Sequence, residues 1–163
     1  MRLDLRGNIP SFISITTAHR SDVSVLDELP VEAGAFYIMV SGLPVEACFA
    51  SMDRGYIDFK RLHSLTQLGA FFVLRTRDNM VYRRRYSHPV DKSTGLRSDQ
   101  TIVLTGKNSD RYYPDPARLI HFVDAEKQLR LSLLTNQFLA PALTIARLYK
   151  ARWNVELFFE RWT

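Results

Sequence analysis

Short apolar runs alternate with turn-forming clusters along this chain, and the spacing of the apolar positions changes from one stretch to the next. "RGNIPSFISIT" reads as a strand end, a Gly-Asn turn and a second strand whose Phe12, Ile13 and Ile15 are apolar. "SDVSVLDEL" (21–29) has helical spacing, with Val25, Leu26 and Leu29 on one side and Ser21 or Asp22 as caps. "GAFYIMV" (34–40) is a continuous apolar run and predicts a strand buried on both faces. "MDRGYIDFKRLHSLTQLG" (52–69) predicts a strand end, a turn and a helix with Phe59, Leu62 and Leu65 as its apolar stripe and Gly69 as its stop. "AFFVLRTR" returns to strand pattern, so the β-turn-α-β unit predicts a parallel pair.

From about 80 to 136 the pattern becomes one of short strands alone: "MVYRRRYS", "QTIVLTG", "RLIHFVD" and "LRLSLLTN", separated by "SHPVDKSTG" and "GKNSDRYYPDP". That predicts a mostly antiparallel β region. Pro141 then opens a final helix, 141–163, at a position where its absent N–H costs nothing. One local oddity is "LPVEA", present at 29–33 and again at 43–47. A single short copy does not make a structural repeat. It offers two candidate strands, 35–40 and 47–52, where the fold needs one.

Composition narrows the class. With 163 residues, 46% hydrophobic and 24% charged, the chain can build one domain with a core. A net charge of +5 and a pI near 9.6 favour a polyanionic partner. Of the 22 basic residues 17 are Arg, whose planar fork grips phosphate bidentately, although base composition of a gene also enriches Arg. Cys48 is the only cysteine, which excludes an intrachain disulfide and a cysteine-built zinc site. The charged start "MRLDLRGNIP" is unlike a signal peptide and no apolar run is long enough for a bilayer, so an intracellular, cytoplasmic protein without a membrane partner is expected.

Candidate chemistry gathers in three places. On an ideal helix Tyr149 and Glu156 lie about 20° apart, with Arg152 about 40° beyond Glu156. Leu148, Val155 and Phe159 form the neighbouring packing stripe, which leaves the polar triplet at its border. The plain alternative is an exposed Arg152–Glu156 pair at i,i+4. Asp53 stands where a strand ends and the turn "DRGY" begins, an edge where open α/β sheets collect ligands. A turn or cap role is its plain alternative, and the same bland role is expected of Asp58, Asp22 and Asp27. Third, Arg75 and Arg77 alternate on one strand, and "YRRRY" sets Arg83, Arg84 and Arg85 between two tyrosines. Such a cluster suits phosphate neutralisation and base stacking, or protects a solvated edge strand.

Taken in order, "MDRGYIDFKRL", "FFVLRTRDN", "LLTN" and "LYKARWNVELFF" resemble the DDE transposases of bacterial insertion sequences. The resemblance is to the subgroup with a Y-x(2)-R-x(3)-E-x(6)-K signature and a β-rich insertion before the last acidic residue, and it covers nearly the whole chain. It implies an α/β, RNase H-like mixed sheet with an antiparallel β insertion (about 80–136) ahead of the last catalytic helix. It implies Mg²⁺ or Mn²⁺ held by acidic residues, with Asp53 matching the second and Glu156 the third. Tyr149 and Arg152 match the signature's tyrosine and arginine, which assist at the DNA backbone and position the glutamate. The implied activity is cleavage of element ends and strand transfer into target duplex DNA, with the protein on the nucleoid when DNA-bound and a homodimer in an intact relative.

The chain also departs from that pattern. The first acidic residue belongs on a strand ahead of "LDLRGNIPSFISIT", the signature's lysine falls at Thr163, and the second "LPVEA" interrupts the run into "DRGY". These departures lead us to expect an incomplete or inactive copy lacking the first strand. A non-catalytic DNA-binding remnant and an RNase H-like metal-dependent nuclease are the alternatives.

Overall fold

The computed structural model describes residues 2–4, 9–12, 31–39, 58–76 and 80–151. The expected helix at 21–29, the second candidate strand at 47–52, Asp53, Arg77, Arg152 and Glu156 lie outside the described residues. The opening strands form as a hairpin: β1 (Arg2–Asp4) pairs antiparallel with β2 (Ile9–Phe12), with Leu3 opposite Pro10.

The remaining elements form an α/β unit around one mixed sheet. In chain order they are β3 (Phe36–Met39), α1 (Phe59–Gln67), β4 (Phe71–Arg75), β5 (Tyr82–His88), a 3₁₀ turn (Lys92–Thr94), β6 (Leu96–Leu104), the one-turn α2 (Ser109–Tyr112), β7 (Ala117–Asp124), β8 (Leu129–Thr135) and α3 (Ala142–Lys150). The sheet order is β3-β4-β8-β7-β6-β5. Only β3 and β4 run parallel, with Phe36 opposite Phe71 and Met39 opposite Leu74, and every other described neighbour is antiparallel.

Local chemistry explains the crossover that makes β3 and β4 parallel. Asp58 caps α1 by accepting from the Arg61 amide at 3.1 Å and from its guanidinium at 2.8 Å, as its cap-like setting suggested. Gly69 ends the helix at φ +72°, and its carbonyl accepts from Gly34 N at 2.8 Å. This left-handed residue therefore turns the chain back beside the start of β3.

The sheet is covered on both faces. Alternate residues Phe72 and Leu74 pack with Leu62, Leu65, Ile102, Leu104, Leu119 and Tyr113 under α1 and α2. Val73 points the other way, into a layer with Ile120, Leu131, Leu133, Ile145, Ala146 and Tyr149 under α3. Each fully buried Leu or Ile contributes about 1.5–3 kcal/mol relative to exposure. Phe36 and Tyr37 are half-buried, so the β3 run is less enclosed at its start than a continuous apolar run predicts.

Three expectations shift in detail. β6 begins at Leu96, four positions before "QTIVLTG", because a bulge between Leu96 and Ser98 keeps Leu96 opposite Phe122. "GKNSDRYYPDP" holds the short α2 and not turns alone. Pro141 is the N-cap and not the first helical residue, with ψ 142°.

Gly95 has a stricter task than Gly69. It sits at φ +92°, and a Cβ there would lie 2.6 Å from the Val123 carbonyl oxygen. Gly95→Ala is expected to cost at least about 2 kcal/mol by combining strained backbone with a backbone clash. Urea unfolding of the variant checks it; a change within about 0.5 kcal/mol, the range of an ordinary surface substitution, would show that the β5–β6 connection relaxes freely.

Candidate catalytic edge

The topology defines one edge of the sheet. β3 and β4 are parallel, so both finish on the same side. β4 opposes β8 with Arg75 across from Leu133 and Val73 across from Thr135, so that side is where β7 ends and β8 begins. α1 ends at Gly69 beside the start of β3, and its capped N-terminus lies ~13 Å away along its axis, toward the strand ends. β3 thus ends and α1 begins on this one side.

α3 arrives at the same edge. Its approach is fixed at the far side by Arg118, which is buried with 6% of its surface exposed. Arg118 forms a two-pronged pair with buried Asp99, Nε to Oδ1 at 2.8 Å and Nη2 to Oδ2 at 2.7 Å. Its remaining nitrogen, Nη1, donates to the carbonyls of Gln137 (3.1 Å), Phe138 (3.4 Å) and Ala140 (2.6 Å). The Gln137 side chain accepts from the Leu139 and Ala140 amides, so the loop into α3 is held by donors and acceptors on both sides.

Lys150, the last residue of α3, places its Nζ 2.8 Å from Oδ2 of Asp124 at the end of β7, with Glu126 at 3.7 Å. Asp124 is 2% exposed. The Lys150 ammonium, with help from the Lys127 and Glu126 amides, holds its carboxyl below the ordinary value of 3.8 against the opposing effect of burial. A depressed carboxylate stabilises the fold above its ordinary range and loses that contribution as pH falls through its folded value. Asp124→Asn should therefore lower the melting temperature at neutral pH, with the gap closing below about pH 4 as the wild-type carboxyl protonates. A gap that persists unchanged at low pH would assign the effect to packing instead of charge.

The structure places the candidate residues unequally. Tyr149 is 1% exposed within the layer beneath α3, in contact range of the group that includes Val73 and Ile120. The buried face of α3 is Ala142, Ile145, Ala146 and Tyr149, and so is centred on Tyr149, while Leu148 is half-buried at its flank. The sequence had put Tyr149 at the border of that stripe. Arg75 is half-buried at the end of β4. Arg83, Arg84 and Arg85 are exposed on β5, which lies at the opposite edge of the described sheet from β3. Among the described residues, no three His, Cys, Asp or Glu side chains assemble as a metal site. No described helix is long and apolar enough to cross a membrane.

Sequence reasoning passed over Arg118, Asp99 and Lys150. The signal available was an Asp and an Arg inside otherwise β-patterned runs, where an ionised side chain needs a partner.

An α/β sheet extended by an antiparallel block, with a helix returning to the strand-end edge, is the architecture expected of an RNase H-like domain. The family comparison agrees: the family described as transposase DDE domain matches residues 2–163, and the chain belongs to that family. It is 31% identical over 163 residues to y4zB of Sinorhizobium fredii, named as a transposase, an alignment covering 98% of this chain and 41% of that protein. It is 33% identical over 115 residues to a Geobacillus stearothermophilus protein named as the transposase for insertion sequence element IS5377, covering 68% of this chain and 29% of that protein. The chain thus spans less than half the length of these curated relatives. No solved structure matches it.

Proposed function

We propose that this chain is the part of an insertion-sequence transposase that carries the second and third acidic residues of a phosphoryl-transfer site, Asp53 and Glu156, acting on the ends of an element and on target duplex DNA. The observation that supports the reading is the common edge: β3 ends there, α1 begins there and α3 ends there, and Asp53 lies in the sequence between β3 and α1 while Glu156 follows α3. If the helical periodicity continues past Lys150, Glu156 lies ~9 Å further along the axis, on the side that Tyr149 marks. Tyr149, packed under the helix, then acts by fixing the rotation of α3, and Arg152 is the residue left to meet the DNA backbone.

Two carboxylates are hard oxygen donors, which suits Mg²⁺ or Mn²⁺. Such ions would stabilise the charge that builds on a phosphodiester during in-line displacement. Asp53 and Glu156 would hold them, Arg75, Arg77 and Arg152 would neutralise nearby phosphates, and the helix supports would keep Glu156 in place. A homodimer bridging two element ends is a further part of this reading for an intact relative.

Asp53 and Glu156 are the two acidic positions assigned in this reading, and weak or absent turnover by these 163 residues alone is the expected result. Incubating the purified chain with terminal-repeat duplex and Mn²⁺ and analysing nicked strands tests this. Robust nicking that survives Asp53→Asn and Glu156→Gln would overturn the assignment of these residues. Robust nicking that both variants abolish would show instead that the chain is a competent enzyme. The alternative of a non-catalytic DNA-binding remnant is favoured if binding survives both substitutions and no cutting occurs. Cutting without joining to a second duplex would favour a nuclease.

A further inference from the structure

The register of β5 carries information that its run of arginines alone does not. Tyr82 and Arg84 stand opposite Leu104 and Ile102, which belong to the core layer under α1 and α2, so they share that face. Arg83, opposite Val103, lies on the other face. The register then slips between Arg84 and Tyr86, leaving Arg85 as the extra residue of a bulge. Tyr86, opposite Thr101, and His88, opposite Asp99, follow on the α3 face with their rings 4.8 Å apart, edge to face.

Strict alternation would have put Arg83 and Arg85 together on one face. Arg83 and Arg84 already lie on opposite faces of the strand, and the bulge takes Arg85 out of the row that Arg83 begins, so among the described residues guanidinium groups flank the outer edge of β5 from both sides. All three arginines are exposed, and none forms an ion pair with a described acidic residue. Protecting an edge from strand pairing needs only a charge or a bulge. Three successive cations without an ion-pair partner among the described residues repel one another until an anion lies between them, and a row of phosphates is such an anion.

We propose that the outer edge of β5 straddles one backbone of duplex DNA, with Arg83 and Arg84 reaching phosphates from opposite faces of the sheet and Arg85 meeting the backbone at the bulge. This rests on the reading of the chain as a DNA-acting transposase domain and adds to it a docking mode: the duplex meets the sheet edge-on and does not lie flat on either face.

The test is the salt dependence of binding to a plain duplex between about 50 and 200 mM salt, where the loss of phosphate contacts is read most directly. It is measured for the wild type, for Arg83→Gln, Arg84→Gln and Arg85→Gln, and for each arginine changed to Lys. Each lost phosphate contact lowers the slope of log affinity against log salt by about 0.9, so a fourfold rise in salt should weaken each Gln variant ~3.5-fold less than the wild type. The Lys variants should keep the slope, and circular dichroism should match throughout. A slope carried by Arg83 or Arg84 alone would mean flat docking and overturn the proposal. Duplex binding with an unchanged slope in all Gln variants would assign the arginines to edge protection. A wild-type chain that binds no duplex would remove the DNA-acting reading along with the straddling mode.

Discussion

Arg118→Met is expected to destabilise the fold by about 3–5 kcal/mol, a large part of the 5–15 kcal/mol or so that holds a typical domain together. The substitution preserves a long apolar stem, so little of the loss comes from packing. It strands the Asp99 carboxylate, only 5% exposed, without its counter-ion. It also strips the donor from three carbonyls, Gln137, Phe138 and Ala140, in the loop that launches α3. These two contributions separate experimentally. Adding Asp99→Leu removes the buried charge and should recover part of the stability, while the carbonyls remain without a donor and keep the double variant below the wild type. Urea titrations of both variants measure this. A single variant costing less than about 1 kcal/mol would mean that water replaces the guanidinium, and the claim that Arg118 aims α3 would fail.

Asn136→Ala should cost about 2–4 kcal/mol, since it leaves two backbone groups unpaired at once. Asn136 Oδ1 accepts from Phe72 N at 2.9 Å, and its Nδ2 donates to Ala70 O at 2.9 Å and Thr66 Oγ1 at 3.0 Å. Thr66 in turn meets the Tyr113 hydroxyl at 3.2 Å. One amide therefore ties the end of β8 to the turn between α1 and β4 and, through Thr66, to the loop after α2. Asn136→Asp is the informative companion: it keeps the acceptor for Phe72 N and loses the donor to Ala70 O. It should fall nearer to the Ala variant than to the wild type. Equal stability of Asp and Asn at this position would show that the donor half is dispensable.

How much of this was readable in the residues differs by element. The parallel β3–β4 pair was legible because Asp58, the Phe59–Leu62–Leu65 spacing and Gly69 each state one part of a crossover, and local chemistry suffices to fold it. The four strands after 80 were legible as runs, and three of them start within two residues of those runs; the early start of β6 and the bulge at Arg85 were not legible, because both are set by cross-strand pairing that no window of sequence contains. The "LLTN" stretch marked the family without saying why its Asn belongs there; the reason is contacts with residues some seventy positions away. The placement of Tyr149 was half legible. Helical spacing put it near Glu156, but the sheet surface beneath α3 decides which sector is buried, and small Ala142 and Ala146 let the helix sit close enough to enclose the ring. Arg118 was hidden in a β-patterned run where its neighbours are apolar, and only the fold brings the 137–140 carbonyls to it.

We propose that one sheet edge brings the side chains of Asp53 and Glu156 together. The most direct test replaces both with cysteine in a Cys48→Ser background and treats the chain with a short bifunctional thiol reagent. Rapid intramolecular crosslinking in the native protein, lost in urea and absent when either cysteine is alone, is the predicted result. Two cysteines that react independently, or that link only one chain to another, would place the two residues apart and contradict it.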